Sequence, residues 1–244
     1  MITTNIFLFI LGTIAGSFIN MLSGRLITSV PILTARSRCD NCQRLIRWQD
    51  LVPIFSYIRL KGRCRECNSK IPIYNLLSEI FLGVVFVVLY LLYPAKLWIF
   101  LAIIVTFLVA IIITDFYSYF IYDITLWPIF IVAVIMSKLN NDLWFGLITS
   151  VLLTGGILII AKIVNFSFEK EESLGFGDVK LFFVFGWLFS LEENMWLILI
   201  ASFSGLIFIV VRYYWLKKSI REKIAFGPFL AGAAIILILL QRIG

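Results

Sequence analysis

Four cysteines and a few carboxylates are the residues in this 244-residue chain whose types and spacing point to chemistry. The cysteines read Cys39-x-x-Cys42 and, after 21 intervening residues, Cys64-x-x-Cys67. Each C-x-x-C makes a tight knuckle that offers two thiolates from one turn. Two knuckles close a tetrahedral four-thiolate site, the zinc-ribbon arrangement. Two disulfides or free thiols are the alternatives, and a reducing, cytoplasmic location argues against the disulfides. Neighbouring Arg38, Arg44, Arg63 and Arg65 favour thiolate over thiol. With four sulfur ligands the site is closed, so its expected role is structural. A loop of about 50 residues has little core of its own and gains from a metal staple.

Ionisable residues in or beside apolar runs are functional candidates, because a charge is costly in hydrocarbon. Asp115 follows Ile111-Ile112-Ile113-Thr114, and Asp178 sits in Gly175-Phe176-Gly177-Asp178-Val179-Lys180. Two carboxylates brought together in a low-dielectric site cannot both ionise cheaply, so they share a proton. One then takes a proton from water and the other donates to a scissile carbonyl, as in aspartic proteases. Gly175 and Gly177 allow close approach of an extended peptide, which makes them substrate-binding candidates. A helix boundary or helix packing is the plainer account of Gly-x-Gly taken alone. Asp123, eight residues past Asp115, either caps the following helix or transfers protons. Glu79 sits early in an apolar run and needs a partner such as Arg59, Arg63 or a bound cation. Asp142 belongs to a turn, Lys180 is expected to snorkel to the interface, and Glu169, Glu171 and Glu172 form a solvated face. Histidine is absent, which excludes Ser-His-Asp triads, Cys-His dyads and His-ligated metals.

The elements that position these groups are set by hydropathy. The chain is 61% hydrophobic and 14% charged, with a mean hydropathy of +1.03. That excludes a water-soluble enzyme, a disordered chain and a disulfide miniprotein, and describes an all-α polytopic membrane protein. Eight spans are expected: 6–22, 76–93, 97–113, 124–136, 143–163, 179–190, 195–211 and 226–240. The fourth and sixth are short. The first lacks a charged n-region and reads as a span, not a cleaved signal peptide. Gly12-x-x-x-Gly16 within it is a face for packing on a neighbouring helix.

With the N-terminus outside, segments 23–75, 114–123, 164–178 and 212–225 and their edges hold 18 of the 21 Lys and Arg. That places these segments in the cytoplasm. The net charge of +7 is a topology signal with anionic-lipid contact, not a nucleic-acid interface.

Together these residues make the chain resemble the bacterial type IV prepilin peptidases, bifunctional leader peptidase/N-methyltransferases. The resemblance is carried by Gly16-Ser17-Phe18-Ile19-Asn20, Arg36 to Cys42, Gly62 to Cys67, Tyr74, Glu79, Asp115 to Asp123, Gly175 to Lys180 and Phe226-Gly227-Pro228-Phe229-Leu230. One departure is Tyr122, where the family usually has Pro. The resemblance implies cleavage of the basic leader of prepilins or pseudopilins on the cytoplasmic side. It also implies methylation of the new amino terminus with S-adenosylmethionine. The family's catalytic aspartates match Asp115 and Asp178, and its cysteine loop is associated with zinc and the methyltransferase half. The expected organisation is residues 1–93 for that half and 94–244 for the aspartyl peptidase core. No dinucleotide fingerprint exists, so the cofactor site follows from the resemblance alone and is sought near Asn20, Arg63 and Glu79. Peptidase action without methylation, and a proton-coupled transporter using the same aspartates, are the competing readings. A membrane scaffold or metal sensor leaves the aspartates unexplained.

Overall fold

Residues 2–32, 36–94, 96–168, 175–216 and 224–240 are described in the computed structural model. The acidic run Glu169, Glu171 and Glu172 lies outside them. Among the described residues are nine α-helices and no strand: α1 (Ile2–Ile27), α2 (Phe55–Arg59), α3 (Ile73–Leu92), α4 (Leu97–Ser118), α5 (Asp123–Leu139), α6 (Leu143–Phe168), α7 (Phe176–Leu188), α8 (Leu191–Leu216) and α9 (Gly227–Leu240). Eight coincide with the eight expected apolar runs. The ninth, α2, is a five-residue turn of helix within the cysteine loop. Several helices outrun their apolar stretch, because backbone hydrogen bonding continues past the last hydrophobic residue. α4 thus carries Asp115 inside its last turn.

Helices α1, α3, α4, α6 and α8 are long and apolar enough to cross a membrane. α5, α7 and α9 have 17, 13 and 14 residues. At 1.5 Å per residue, a 13-residue helix covers about 20 Å of a hydrocarbon core about 30 Å thick.

The described chain divides by packing into two units, Met1–Ala110 and Ile111–Gln241. In the first, α1 and α3 pack antiparallel through small residues. A Cβ on Gly16 would lie 2.7 Å from Glu79 Cα; one on Gly12 would strike the Leu82 carbonyl; one on Gly83 would lie 2.8 Å from the Phe9 ring. The Gly12-x-x-x-Gly16 face therefore does what its spacing implies.

In the second unit α7 packs on α5, α6, α8 and α9. Gly186 of α7 lies on the backbone of Ser150 in α6, with room for no side chain. Asn194, fully buried in α8, donates its amide to the Phe185 and Phe189 carbonyls and so satisfies the end of α7. Ser190 and Glu193 form a capping box that starts α8.

Candidate functional site

The cysteine loop folds as two copies of one turn. Cys39 N–H donates to the Arg44 carbonyl and Gln43 N–H to the Cys39 carbonyl; Cys64 to Ser69 and Asn68 to Cys64 repeat the pattern. Gln43 and Asn68, each just past a C-x-x-C, hold φ of +55° and +57°. The four sulfurs lie within 4.8 Å of one another. The Cys39 and Cys67 sulfurs are 3.8 Å apart, the edge of a tetrahedron with metal–sulfur bonds of about 2.3 Å. All four thiols are free of disulfides. Ser69 Oγ lies 3.1 Å from Cys67 Sγ, and its hydroxyl and backbone N–H pull the Cys67 thiol down to about 6. The set fits a metal ion.

Two of the arginines expected to favour thiolates, Arg44 and Arg65, pair with carboxylates. Arg44 pairs with Glu66 at 2.6 Å. Arg65 grips Asp50 with two hydrogen bonds of 2.9 and 2.6 Å, and Arg59 adds a third at 2.6 Å. Asp50 was not foreseen from sequence; it fastens the α2 segment to the second knuckle.

A cavity of about 330 Å³ opens between this loop and the adjoining ends of α1 and α3, with Ser17, Asn20, Asp50, Tyr57, Tyr74 and Glu79 on its wall. Asn20 joins the helices, donating to the Asn75 carbonyl at 3.0 Å and accepting from Ser78 at 2.8 Å. Glu79 is only 8% exposed. Its partner is neither Arg59 nor Arg63 but the Ile54 N–H at 2.7 Å, with the Ser17 hydroxyl beside it. Ile54 has φ +60°, a strained conformation for a β-branched residue, so this carboxylate pins a turn that would otherwise relax. Arg63 is exposed and pairs backbone to backbone with Lys70; it is not on the wall of the cavity.

In the second unit, Asp115 is 5% exposed and accepts the Gly227 N–H at the start of α9. A Cβ on Gly227 would lie 2.6 Å from Asp115 Oδ2 and 3.1 Å from Ile121 Cδ1. Ile121 also faces Gly177, whose Cβ would lie 3.1 Å from it. Gly175 ends its loop as the residue before α7, and Asp178 N–H donates to its carbonyl at 3.1 Å. Asp178 thus stands in the first turn of α7, where the helix dipole favours negative charge. Asp115 and Asp178 are near enough to repel each other. Ile121, invisible as a functional residue in the sequence, is the wedge between Gly177 and Gly227.

Asp123 does not cap α5: Tyr122 is the capping position, and no side chain caps there. Its carboxylate instead takes Lys180 Nζ at 2.5 Å, while that ammonium also lies 5.2 Å from the Phe176 ring centre. Lys180 is therefore paired with a carboxylate instead of simply snorkelling. Asp142 is exposed at the α5–α6 turn, as expected.

An all-helical, multi-pass membrane protein with one aspartate in the last turn of a helix, another in the first turn of a second helix, and a four-cysteine cluster in a loop is the class these features define. The profile described as "Bacterial Peptidase A24 N-terminal domain" matches residues 10–93, and that described as "Type IV leader peptidase family" matches residues 102–210. The chain is 32% identical over 225 residues to the "Type 4 prepilin-like proteins leader peptide-processing enzyme" of Escherichia coli O78:H11, covering 88% of this chain and 80% of that enzyme. It is 29% identical to the "Prepilin leader peptidase/N-methyltransferase" of Vibrio cholerae serotype O1 (81% of this chain, 82% of the relative). To the Bacillus subtilis protein of the same name it is 26% identical (94% and 91%). No solved structure matches the chain. The chain belongs to the type IV leader peptidase family, the prepilin peptidases.

Proposed function

We propose that this enzyme removes the basic leader from type IV prepilin-like substrates at the cytoplasmic face of the inner membrane. It then methylates the newly exposed amine with S-adenosylmethionine. Support comes from family membership and from one observation above others: Asp115 and Asp178, far apart in sequence, sit close enough to interact, around Gly177, Ile121 and Gly227.

Asp115 and Asp178 are the catalytic pair and share one proton between them. The ionised member accepts a proton from water as its oxygen attacks the scissile carbonyl, while the protonated member donates to the carbonyl oxygen. Collapse of the tetrahedral adduct breaks the C–N bond and hands a proton to the leaving amine. The Gly227 N–H holds the Asp115 carboxyl in place. Gly175, exposed beside Asp178, and Gly177 offer backbone to the extended substrate.

Methyl transfer requires a neutral amine, and an α-amino group with a pKa of about 7.7–8.0 needs little help to lose its proton. Bound beside Asn20 and Glu79, S-adenosylmethionine would supply the methyl group to that neutral amine. Holding both partners in line supplies most of the rate. We assign the cofactor to the cavity bearing Asn20 and Glu79. Arg63, sought there from the resemblance, stands outside that cavity. Cys39, Cys42, Cys64 and Cys67 hold a structural zinc ion.

The test is to incubate purified protein with a prepilin, with and without S-adenosylmethionine, and weigh the products. A mature chain heavier by one methyl is expected only with the cofactor. Asp115→Asn and Asp178→Asn should each abolish cleavage yet still methylate a pre-cleaved peptide. Cleavage retained by either variant refutes the pair.

A further inference from the structure

The cysteine loop presents an apolar face that the fold leaves open. Trp48, Phe55 and Ile58 are 75%, 60% and 65% exposed, with Val52 exposed beside them. A loop standing free in water would not carry such a surface. The face is one-sided: Ser56, Tyr57 and Leu60 line the cavity, while Phe55 and Ile58, at i and i+3 of α2, point the other way. The short helical turn Trp48–Asp50 packs against α2, which brings Trp48 to the same region.

Its depth follows from a single hydrogen bond. Ile54 N–H donates to Glu79, six residues into α3 from Ile73, or about 9 Å along the helix axis. Asn20 meets Asn75 and Ser78, Gly16 meets Glu79, and Gly12 meets Leu82. The turn at Pro53–Ile54 therefore reaches past the ends of α1 and α3, to the level of Ser17 and Glu79. The charge around this turn is complementary to an anionic membrane surface: segment 23–75 holds ten basic residues against three acidic ones, Asp40, Asp50 and Glu66.

We propose that residues 48–58 form an interfacial anchor, in which Trp48, Phe55 and Ile58 insert into the leaflet where α1 ends and α3 begins. Anionic phospholipid headgroups lie over the neighbouring arginines. An aromatic and aliphatic face with basic flanks is the composition that binds in the interface plane. The anchor holds the cavity against the membrane surface, at the height where the amino terminus of a bilayer-embedded helix emerges. Glu79 and the strained Ile54 turn set its depth.

The full-length protein, reconstituted in nanodiscs containing phosphatidylglycerol, tests this with a photoreactive benzoylphenylalanine placed singly at positions 48, 55, 58 and, as control, 68. Asn68 is exposed at the tip of the second knuckle. Irradiation followed by mass spectrometry should give phospholipid adducts at 48, 55 and 58 at least about tenfold above position 68, as an interfacial segment requires. Metal content measured on each sample reports an intact loop, and the three positions are independent of one another. Lipid adducts no more abundant at these positions than at 68 overturn the anchor. So does their replacement by prepilin adducts when prepilin is added, which would make the face a substrate dock.

Discussion

Gly227 decides how Asp115 is held. Its N–H donates to the carboxylate, and its Cα lies so close that a methyl group there would meet Oδ2 at 2.6 Å and Ile121 at 3.1 Å. Gly227→Ala should displace the carboxyl by a fraction of an ångström and push Ile121 against Gly177. Cleavage should fall by about 10²-fold, the usual effect of misplacing a catalytic group. Methylation of a pre-cleaved peptide should be unchanged, because Asn20 and Glu79 belong to the other unit. Comparing the two activities of one preparation checks this. The aspartates themselves were legible in the sequence, since a charge beside an apolar run is too costly to be incidental. The Gly227–Asp115 contact was not, because it joins distant segments and leaves no local signal. Ile54 escaped for a different reason. Nothing in Val52-Pro53-Ile54 announces a positive φ; the carboxylate of Glu79 imposes it from another helix.

At the scale of elements, the cysteine loop is fastened by Asp50, and in the proposed zinc-bound form by its four thiolates as well. The guanidinium of Arg65 donates to Asp50 and holds its carboxyl below the usual carboxylate range, with Arg59 adding to the effect against the opposing influence of burial. A carboxyl depressed by folding contributes stability that is complete above its unfolded pKa of about 3.9 and fades as pH falls through the lower folded value. Protection factors for amides 44–66 in hydrogen exchange should therefore hold from neutral pH to about 5 and carry an Asp50-dependent loss only below about 4. Asp50→Asn should lack that acid step. At neutral pH it should weaken the loop by about 1–3 kcal/mol, a range discounted because both guanidiniums reach solvent. Cys64→Ser should release the metal and remove protection across both knuckles at any pH, as metal-dependent folding requires; metal analysis of the purified variant measures it. Hydropathy made eight helices legible, and C-x-x-C spacing made the knuckles so. The five residues of α2 carry no periodicity long enough to read, and α5 starts at Asp123 because Lys180, not a helix cap, claims that side chain.

For the molecule in its membrane, the distribution of basic residues is the strongest constraint on orientation. The four segments assigned to the cytoplasm and their edges contain 18 of 21 Lys and Arg, leaving Lys96, Lys138 and Arg242 elsewhere. Moving that many cations across a membrane against the potential is strongly disfavoured, so the cysteine loop should stay inside. The proposed reaction requires the same sidedness, because the leader to be removed is itself basic and remains in the cytoplasm. α7, with 13 residues, is shorter than a full crossing demands, and short helices are stable at membrane depth when protein, not lipid, surrounds them. α7 meets that condition: Leu181, Phe182, Val184, Phe185 and Gly186 are buried against its neighbours. If all eight apolar helices cross, the α5–α6 turn at Asn140-Asn141 is external, and the knuckle tip at Asn68 is internal. Alkaline phosphatase inserted after Asn141 should then be active, and after Asn68 inactive, with green fluorescent protein giving the opposite pattern. Activity of the phosphatase at Asn68 would reverse the orientation and, with it, remove the enzyme from the side of the membrane where a basic leader resides.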